Sequence, residues 1–329
     1  MQESRELSVG KGATKRYVWF FFLLVGCGLL PLVVKVSYVL HVINVAFLYI
    51  IATVSFRFVM MSGQFPLAHG AFMAIGAYVS GCMAKWLRVP PALSIVISIV
   101  VAAFIAAGVA LPFSRLRAVY YAMVSLFFSM LVVYAIQGFP TITGGEAGLI
   151  GIPPLIGVSK LPYYYLFLVI TLLSLAILYR FEVSRVGINL KSIAQSPQVA
   201  ASLGIDIVKH RVFALAIGSL FAALAGALYA HYQLVTSPKL FGLMSTFMMV
   251  LYVAVGGMHS FWGPILGVLV LKVIPELARV AGPYVPYVSG GMMLAIAYAR
   301  KGGLYGLMEY SWRKIKDKSK GVGRDVATS

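Results

Sequence analysis

The chain has 329 residues, 61% of them apolar and only 11% charged, with a mean hydropathy of +0.93. A soluble domain carries about 25% charged residues, so this composition excludes one; about 200 apolar residues allow about ten crossings of a hydrocarbon layer at about 20 residues each. Lys and Arg exceed Asp and Glu by 18, but the excess is concentrated at the ends, with four basic residues in 1–16 and seven in 301–329. Basic ends around an apolar body orient a membrane protein and meet anionic membrane lipid, not nucleic acid.

In chain order, the first apolar run, Tyr17 to Val34, is long for a signal peptide and lacks a small-residue cleavage site before Lys35, so it reads as a retained helix. Further crossings are predicted at 38–61, 65–83, 90–113, 118–137, 161–180, 212–235, 243–258, 262–281 and 284–300. Ten crossings put both termini on one side. The segments 65–83 and 243–258 are short or glycine-interrupted, and as re-entrant segments they would leave eight. Basic residues resist translocation. The N-terminus, Arg115 and Arg117, the 181–211 loop and the tail 301–329 are therefore expected in the cytoplasm, with 138–160 outside and Lys85 and Arg88 as exceptions. This divides the chain into a basic N-terminus (1–16), a transmembrane domain (17–300) and a basic tail (301–329).

The crossings are poor in acids: Glu276 alone lies near one, while Glu146, Glu182 and Asp206 read as loop residues. Proton-driven carriers bury carboxylates as relays, which disfavours a stand-alone secondary carrier. Arg57 and Lys272 read as side chains snorkelling to an interface. Gly70, Gly76 and Gly81, then Gly218, Ala222, Ala225, Gly226 and Ala230, have the small-residue spacing that lets membrane helices approach closely. Cys27 and Cys82 read as packing residues.

No G-x-x-x-x-G-K-[ST] occurs, so any ATP and Mg would be held by another chain, and no catalytic or metal-binding cluster suggests a membrane enzyme or a resident cofactor. Two loops carry information. Ser196 to Gly204 reads as a miniature helix, with Ser196 as N-cap, Pro197 at the first position, Gly204 as a left-handed stop, and Val199, Ala200 and Leu203 on one face. A helix this short is unstable alone and must dock, either on its own bundle or on a partner. Thr141 to Pro154 is glycine-rich, and its amides could meet an anion or simply make turns.

Six motifs in order carry a family resemblance. Gly63-Gln64-x-x-Leu67-x-His69-x-Ala71-Phe72 with Gly76-Ala77-Tyr78 resembles the signature after the second helix of LivM-type permeases, the membrane subunits of branched-chain amino-acid ABC importers. Leu116-Arg117-x-x-Tyr120-Tyr-Ala, then Thr143-Gly144-Gly145 with Gly148-Leu149, resemble the following stretch and the external loop. Ser184-Arg185-x-Gly187 with Ala200-Ala201-x-Leu203-Gly204 resembles the cytoplasmic coupling loop. Ala223 to Ala230 with Ser237-Pro238, and Gly256-Gly257 with Gly263-Pro264-x-x-Gly267, complete the set. Pro66, Ala68, Ala118 and Gln195 to Pro197 depart from the usual residues and bear on the solute more than on the fold.

The resemblance implies an all-α polytopic bundle of about ten helices with inverted repeats, in the cytoplasmic membrane. It implies half of a pore shared with a second permease subunit, two ATPase subunits, an external solute-binding protein and alternating access. The cargo implied is a branched-chain or other hydrophobic amino acid, with urea and sugars as alternatives. Gln64, Pro66, His69 and Tyr78 are the implied pathway residues, and Thr143, Gly144 and Gly145 the external loop. Arg185, Gly187, Ser196, Pro197, Val199, Ala200, Ala201, Leu203 and Gly204 are the implied ATPase-coupling set.

Overall fold

The computed structural model describes residues 37–116, 118–277 and 290–291. The expected crossing at 17–34, nearly all of that at 284–300, both basic ends and Arg117 lie outside the described residues. In chain order the described elements are α1 (Ser37–Met60), α2 (His69–Trp86), α3 (Pro91–Ser114), α4 (Ala118–Gly138), the short α5 (Pro140–Thr143), β1 (Leu149–Ile150), α6 (Lys160–Val183), α7 (Arg185–Gln195), α8 (Pro197–Ser202), α9 (Ile207–Gln233) and β2 (Val235–Thr236). A 3₁₀ turn (Pro238–Phe241) leads into α10 (Leu243–Gly256); α11 (Gly263–Val268) continues through a π-helical turn (Leu269–Val273) into α12 (Ile274–Leu277). Among the described residues, six helical segments are long and apolar enough to cross a membrane: α1, α3, residues 119–138 of α4, α6, α9 and 238–256. The protein is thus all-α and multi-pass, with one two-stranded antiparallel ribbon pairing Leu149 with Thr236 and Ile150 with Val235. The expected ten crossings are not reached among the described residues.

Local chemistry sets the helix limits. Pro91 opens α3 at a position whose amide has no helical partner. Asp206 caps α9 by accepting from the Lys209 amide at 3.0 Å, which starts that helix five residues before the apolar run. The Lys209 amide, then its ammonium, hold the Asp206 carboxyl below its ordinary range. At the other end of α9, Leu234 adopts the left-handed conformation (φ 61°), and its carbonyl accepts from the amides of both Gly151 and Ile152 at 3.0 Å.

α9 is the hub, packed against α1, α2 and α3. Its contact with α2 is backbone on backbone. A Cβ on Gly76 would overlap the Ala223 carbonyl, and a Cβ on Gly226 would overlap the Met73 carbonyl, so each helix supplies a glycine to the other's main chain. The partner stripe of α3 is Ser94, Ser98, Ala102, Ala106 and Ala110, small residues four apart and all buried. The opposite face of α3 exposes Leu93, Val96, Val100, Phe104 and Leu111, each 48–75% accessible. In water such a face would drive aggregation; in hydrocarbon it is solvated.

The chain alternates between two ends of the bundle. Lys160 Nζ donates to Ser37 O (3.3 Å), Asn44 donates to Lys160 O (3.1 Å) and Trp86 Nε1 donates to Ile142 O (2.9 Å). These gather the start of α1, the end of α2 and the 139–159 loop at one end. Arg211 donates to Ser114 O at 2.9 Å, and Arg57 pairs with Glu182, bringing the ends of α1, α3 and α6 to the other end with the start of α9. The basic 184–206 loop and the 139–159 loop therefore lie at opposite ends, as the charge distribution predicts.

Because α2 and α9 meet through glycine, Gly226→Ala is expected to destabilise the protein by about 1–3 kcal/mol through forced backbone displacement. Gly108→Ala, on the α3 surface with nothing within 4 Å, should be neutral or stabilising by up to about 1 kcal/mol. Thermal denaturation of the two variants in detergent compares them directly.

Candidate functional site

The expected coupling loop is built as its residues dictate. Ser184 ends α6, and α7 buries Gly187, Leu190 and Ile193 on one face while Arg185, Ile188 and Lys191 stay exposed. Ser196 Oγ accepts from the Val199 amide at 3.4 Å, Pro197 takes the first helical position, and Gly204 (φ 79°) ends the turn. The shared face needs correction. Val199 and Leu203, one turn apart, are 58% and 73% exposed, but Ala200 is 1% exposed and turned into this chain's own bundle. Residues four apart differ by about 40° around a helix and adjacent ones by about 100°, so Ala200 serves as the inward anchor. Pro197, Gln198, Ala201 and Gly204 are exposed beside the pair.

Beneath this loop lies a centre that differs from the sequence expectation. Arg57 does not snorkel: it is 3% exposed, and its Nη1 and Nη2 donate to Glu182 Oε2 and Oε1 at 2.6 and 3.0 Å. Glu182 is no loop residue either, because α6 continues to Val183 and carries it into the packed interior. Lys191 Nζ adds a 3.3 Å contact to Glu182 Oε1, and Arg57 Nε donates to Met258 O at 2.9 Å. The signal was in the phase of α6, where Tyr164, Leu168, Thr171, Leu175, Leu178 and Glu182 follow three- and four-residue spacing and all are buried. A cavity of about 420 Å³ opens beside the pair, lined by Arg57, Met60, Met61, Lys191, Ala194, Gln195, Val253, Met258 and His259. Lys272, also expected to snorkel, holds its ammonium 4.3 Å from the centre of the Tyr49 ring.

The expected pathway residues lie inside the bundle of this chain. His69 is fully buried with its ring edge against Phe56, and Ser55 Oγ lies 3.0 Å from its Nε2. Ser55 Oγ also lies 2.9 Å from Ala52 O. Tyr78 OH donates to Thr236 O at 3.3 Å, Pro66 O accepts from the His69 amide, and Gln64 is buried. None of the four lines the 420 Å³ cavity or a second one, of about 300 Å³, at the opposite end between His41, Lys160, Tyr163 and Tyr232. Within this chain neighbouring helices cover them.

The expected external loop bonds two of its glycine amides internally. Gly144 N donates to Pro140 O at 3.0 Å and Gly145 N to Thr143 Oγ1 at 3.2 Å, so these two amides are engaged within the chain. Glu146 instead pairs with Lys239 at 2.7 Å on the surface; that hydrogen bond and charge lower its carboxyl pKa.

An all-α bundle with bare apolar faces, carrying at one end an amphipathic helix and an exposed capped turn, is the architecture of a polytopic membrane protein. Residues 38–298 match the family described as branched-chain amino acid transport system / permease component, and the chain belongs to that family. It is 27% identical over 272 residues to the high-affinity branched-chain amino acid transport system permease protein LivM of Salmonella typhimurium, and 28% identical over 272 residues to the protein of that name from Escherichia coli. Each match covers 74% of this chain, and the chain spans 64% of the length of these relatives. No solved structure matches it.

Removing one partner of a buried ion pair strands the other charge, at a cost of about 3–5 kcal/mol, whereas replacing both with apolar residues is often nearly neutral. Arg57→Met alone should therefore lower stability in detergent by about that amount. The double variant Arg57→Met/Glu182→Met should recover most of the loss, as read from the two melting curves.

Proposed function

We propose that this protein is the permease subunit of an ATP-driven importer of branched-chain or other hydrophobic amino acids. It lies in the cytoplasmic membrane with both termini and the 184–206 loop in the cytoplasm, and forms a pore with a second permease subunit. Two ATPase subunits hold ATP and Mg, and an extracytoplasmic binding protein delivers the solute. Family membership supports the transport role; the similarity to LivM supports the cargo class. The single observation that carries the coupling role is the α8 turn, capped at both ends, anchored by Ala200 and presenting Val199 and Leu203 at the basic end of the bundle. ATP-driven closure of the ATPases pushes this turn, and the rigid helices behind it convert the push into alternating access.

A carboxylate placed on that presented face would have to be desolvated on docking, a cost of several kcal/mol if unpaired. Leu203→Glu is therefore expected to reduce ATPase co-purification and ATP-dependent leucine uptake at least about tenfold, a 1.4 kcal/mol effect. Gln198→Glu, exposed on the same turn but outside the apolar pair, should stay within about twofold. Equal retention of the ATPases by both correctly inserted variants would overturn the docking role. Uptake of urea or a sugar in place of leucine would overturn the cargo and leave the docking role intact. Labelling of a single cysteine at position 195 by an impermeant reagent from outside would reverse the orientation.

A further inference from the structure

Arg57 uses its whole donor set. Nε donates to Met258 O at 2.9 Å; Nη1 donates to Glu182 Oε2 at 2.6 Å and faces Met61 Sδ at 3.9 Å; Nη2 donates to Glu182 Oε1 at 3.0 Å and to His259 O at 3.4 Å. With all five N–H groups directed to partners in this chain, the neighbouring cavity is not an anion pocket built on this guanidinium. One side chain instead fastens three elements: α1, which carries it, the end of α6, and the turn after α10. The carboxylate it grips belongs to the residue against which α7 is seated. A Cβ on Gly187 would overlap the Glu182 carbonyl, and Lys191, one turn further along α7, reaches the Glu182 carboxylate. The far end of α7 rests on the turn after α1, where Gly63 closes on Ala194.

We infer that Arg57 is the positioning residue through which displacement of the α7–α8 loop reaches the transmembrane helices: it locks Glu182, the seat of α7, to α1 and to the Met258–His259 turn, so that the four move as one body. The inference rests on the proposed coupling role of α8. A buried ion pair stretched apart leaves two uncompensated charges in an apolar setting. The joint therefore resists opening and transmits a push that a contact between apolar side chains would dissipate by sliding. Lys191, half-exposed, adds little energy, and its length lets it follow the carboxylate. The tight backbone seat at Gly187 carries the load.

The test uses Arg57→Met/Glu182→Met, which removes the joint without stranding a charge, in the complete complex reconstituted in vesicles with its ATPases and binding protein and with leucine as probe. The expected result is normal assembly and ATP hydrolysis within about threefold of the unaltered complex, with leucine moved per ATP reduced at least about tenfold. An unchanged ratio in an assembled complex would overturn the inference. Arg57→Lys, which keeps the charge but cannot span a carboxylate and two carbonyls, should lower the same ratio at least about threefold if the double variant does not assemble; an unchanged ratio there is equally decisive. A second measurement needs no transport. In full-length chain in nanodiscs, lacking Cys27 and Cys82, spin labels at Gln195 and His259 should give a narrow distance distribution that broadens in the double variant. If the unaltered complex moves no leucine, the cargo reading fails while this distribution still decides the joint; an unbroadened distribution would sink it.

Discussion

The structure depends on one permitted overlap, the crossing of α2 and α9 at which each helix lays main chain against the other's glycine. In hydrocarbon there is no water to expel, so helices are held by dispersion and by close approach of their dipolar backbones. Gly76 against Ala223 and Gly226 against Met73 bring the two axes as near as peptide groups allow. The small stripe of α3 then fits against α9, and α1 closes over it where Val59 and Ser55 meet Gly218. The same device recurs between α10 and α11: Gly256 lies on Gly263 and Gly267 on Tyr252. Among the described residues, two crossings are thus brought to backbone contact by glycine.

Polar groups inside the bundle are used sparingly and are largely matched. His231 donates its Nδ1 proton to Pro153 O at 2.7 Å and accepts from Ser80 Oγ at 2.8 Å, stitching α9 to α2 and to the 139–159 loop. Ser125 receives the Leu67 amide at 3.1 Å where the chain is not helical between α1 and α2. Each bond satisfies a main-chain or imidazole group that lipid could not. The Arg57–Glu182 pair belongs to this set but sits where the bundle meets the basic loop, which separates a mechanical duty from a merely cohesive one.

The sequence disclosed those features that depend on residues near one another in the chain. Helix limits at Pro91, Ser196 and Gly204 are local chemistry, and the start of α1 and the extent of α3 and α4 follow from the length of the apolar runs. What was not legible depends on a partner far away. Arg57 finds Glu182 across 125 positions, and hydropathy ended α6 at Arg180 because a charged pair looks like a boundary. Helical phase, carried one turn further, would have retained Glu182 on the buried stripe. Ala200 was grouped with its apolar neighbours because composition does not say which side of a six-residue helix faces home. The bonding partners of His69 and Tyr78, Ser55 and Thr236, likewise lie on other segments.

The π-helical turn at Leu269–Val273 changes what the rest of its helix presents. A π turn accommodates one extra residue, and each residue turns an α-helix by about 100°, so everything beyond it is rotated by about that angle relative to an uninterrupted helix. Lys272 within the turn lies over Tyr49, and Glu276 beyond it meets the hydroxyl of Tyr38 at 2.9 Å. The helix thereby keeps Gly267 seated on α10 at one end while steering its only acidic side chain toward the start of α1 at the other. The extra residue acts as a phase shifter: one helix serves two neighbours whose faces are out of register.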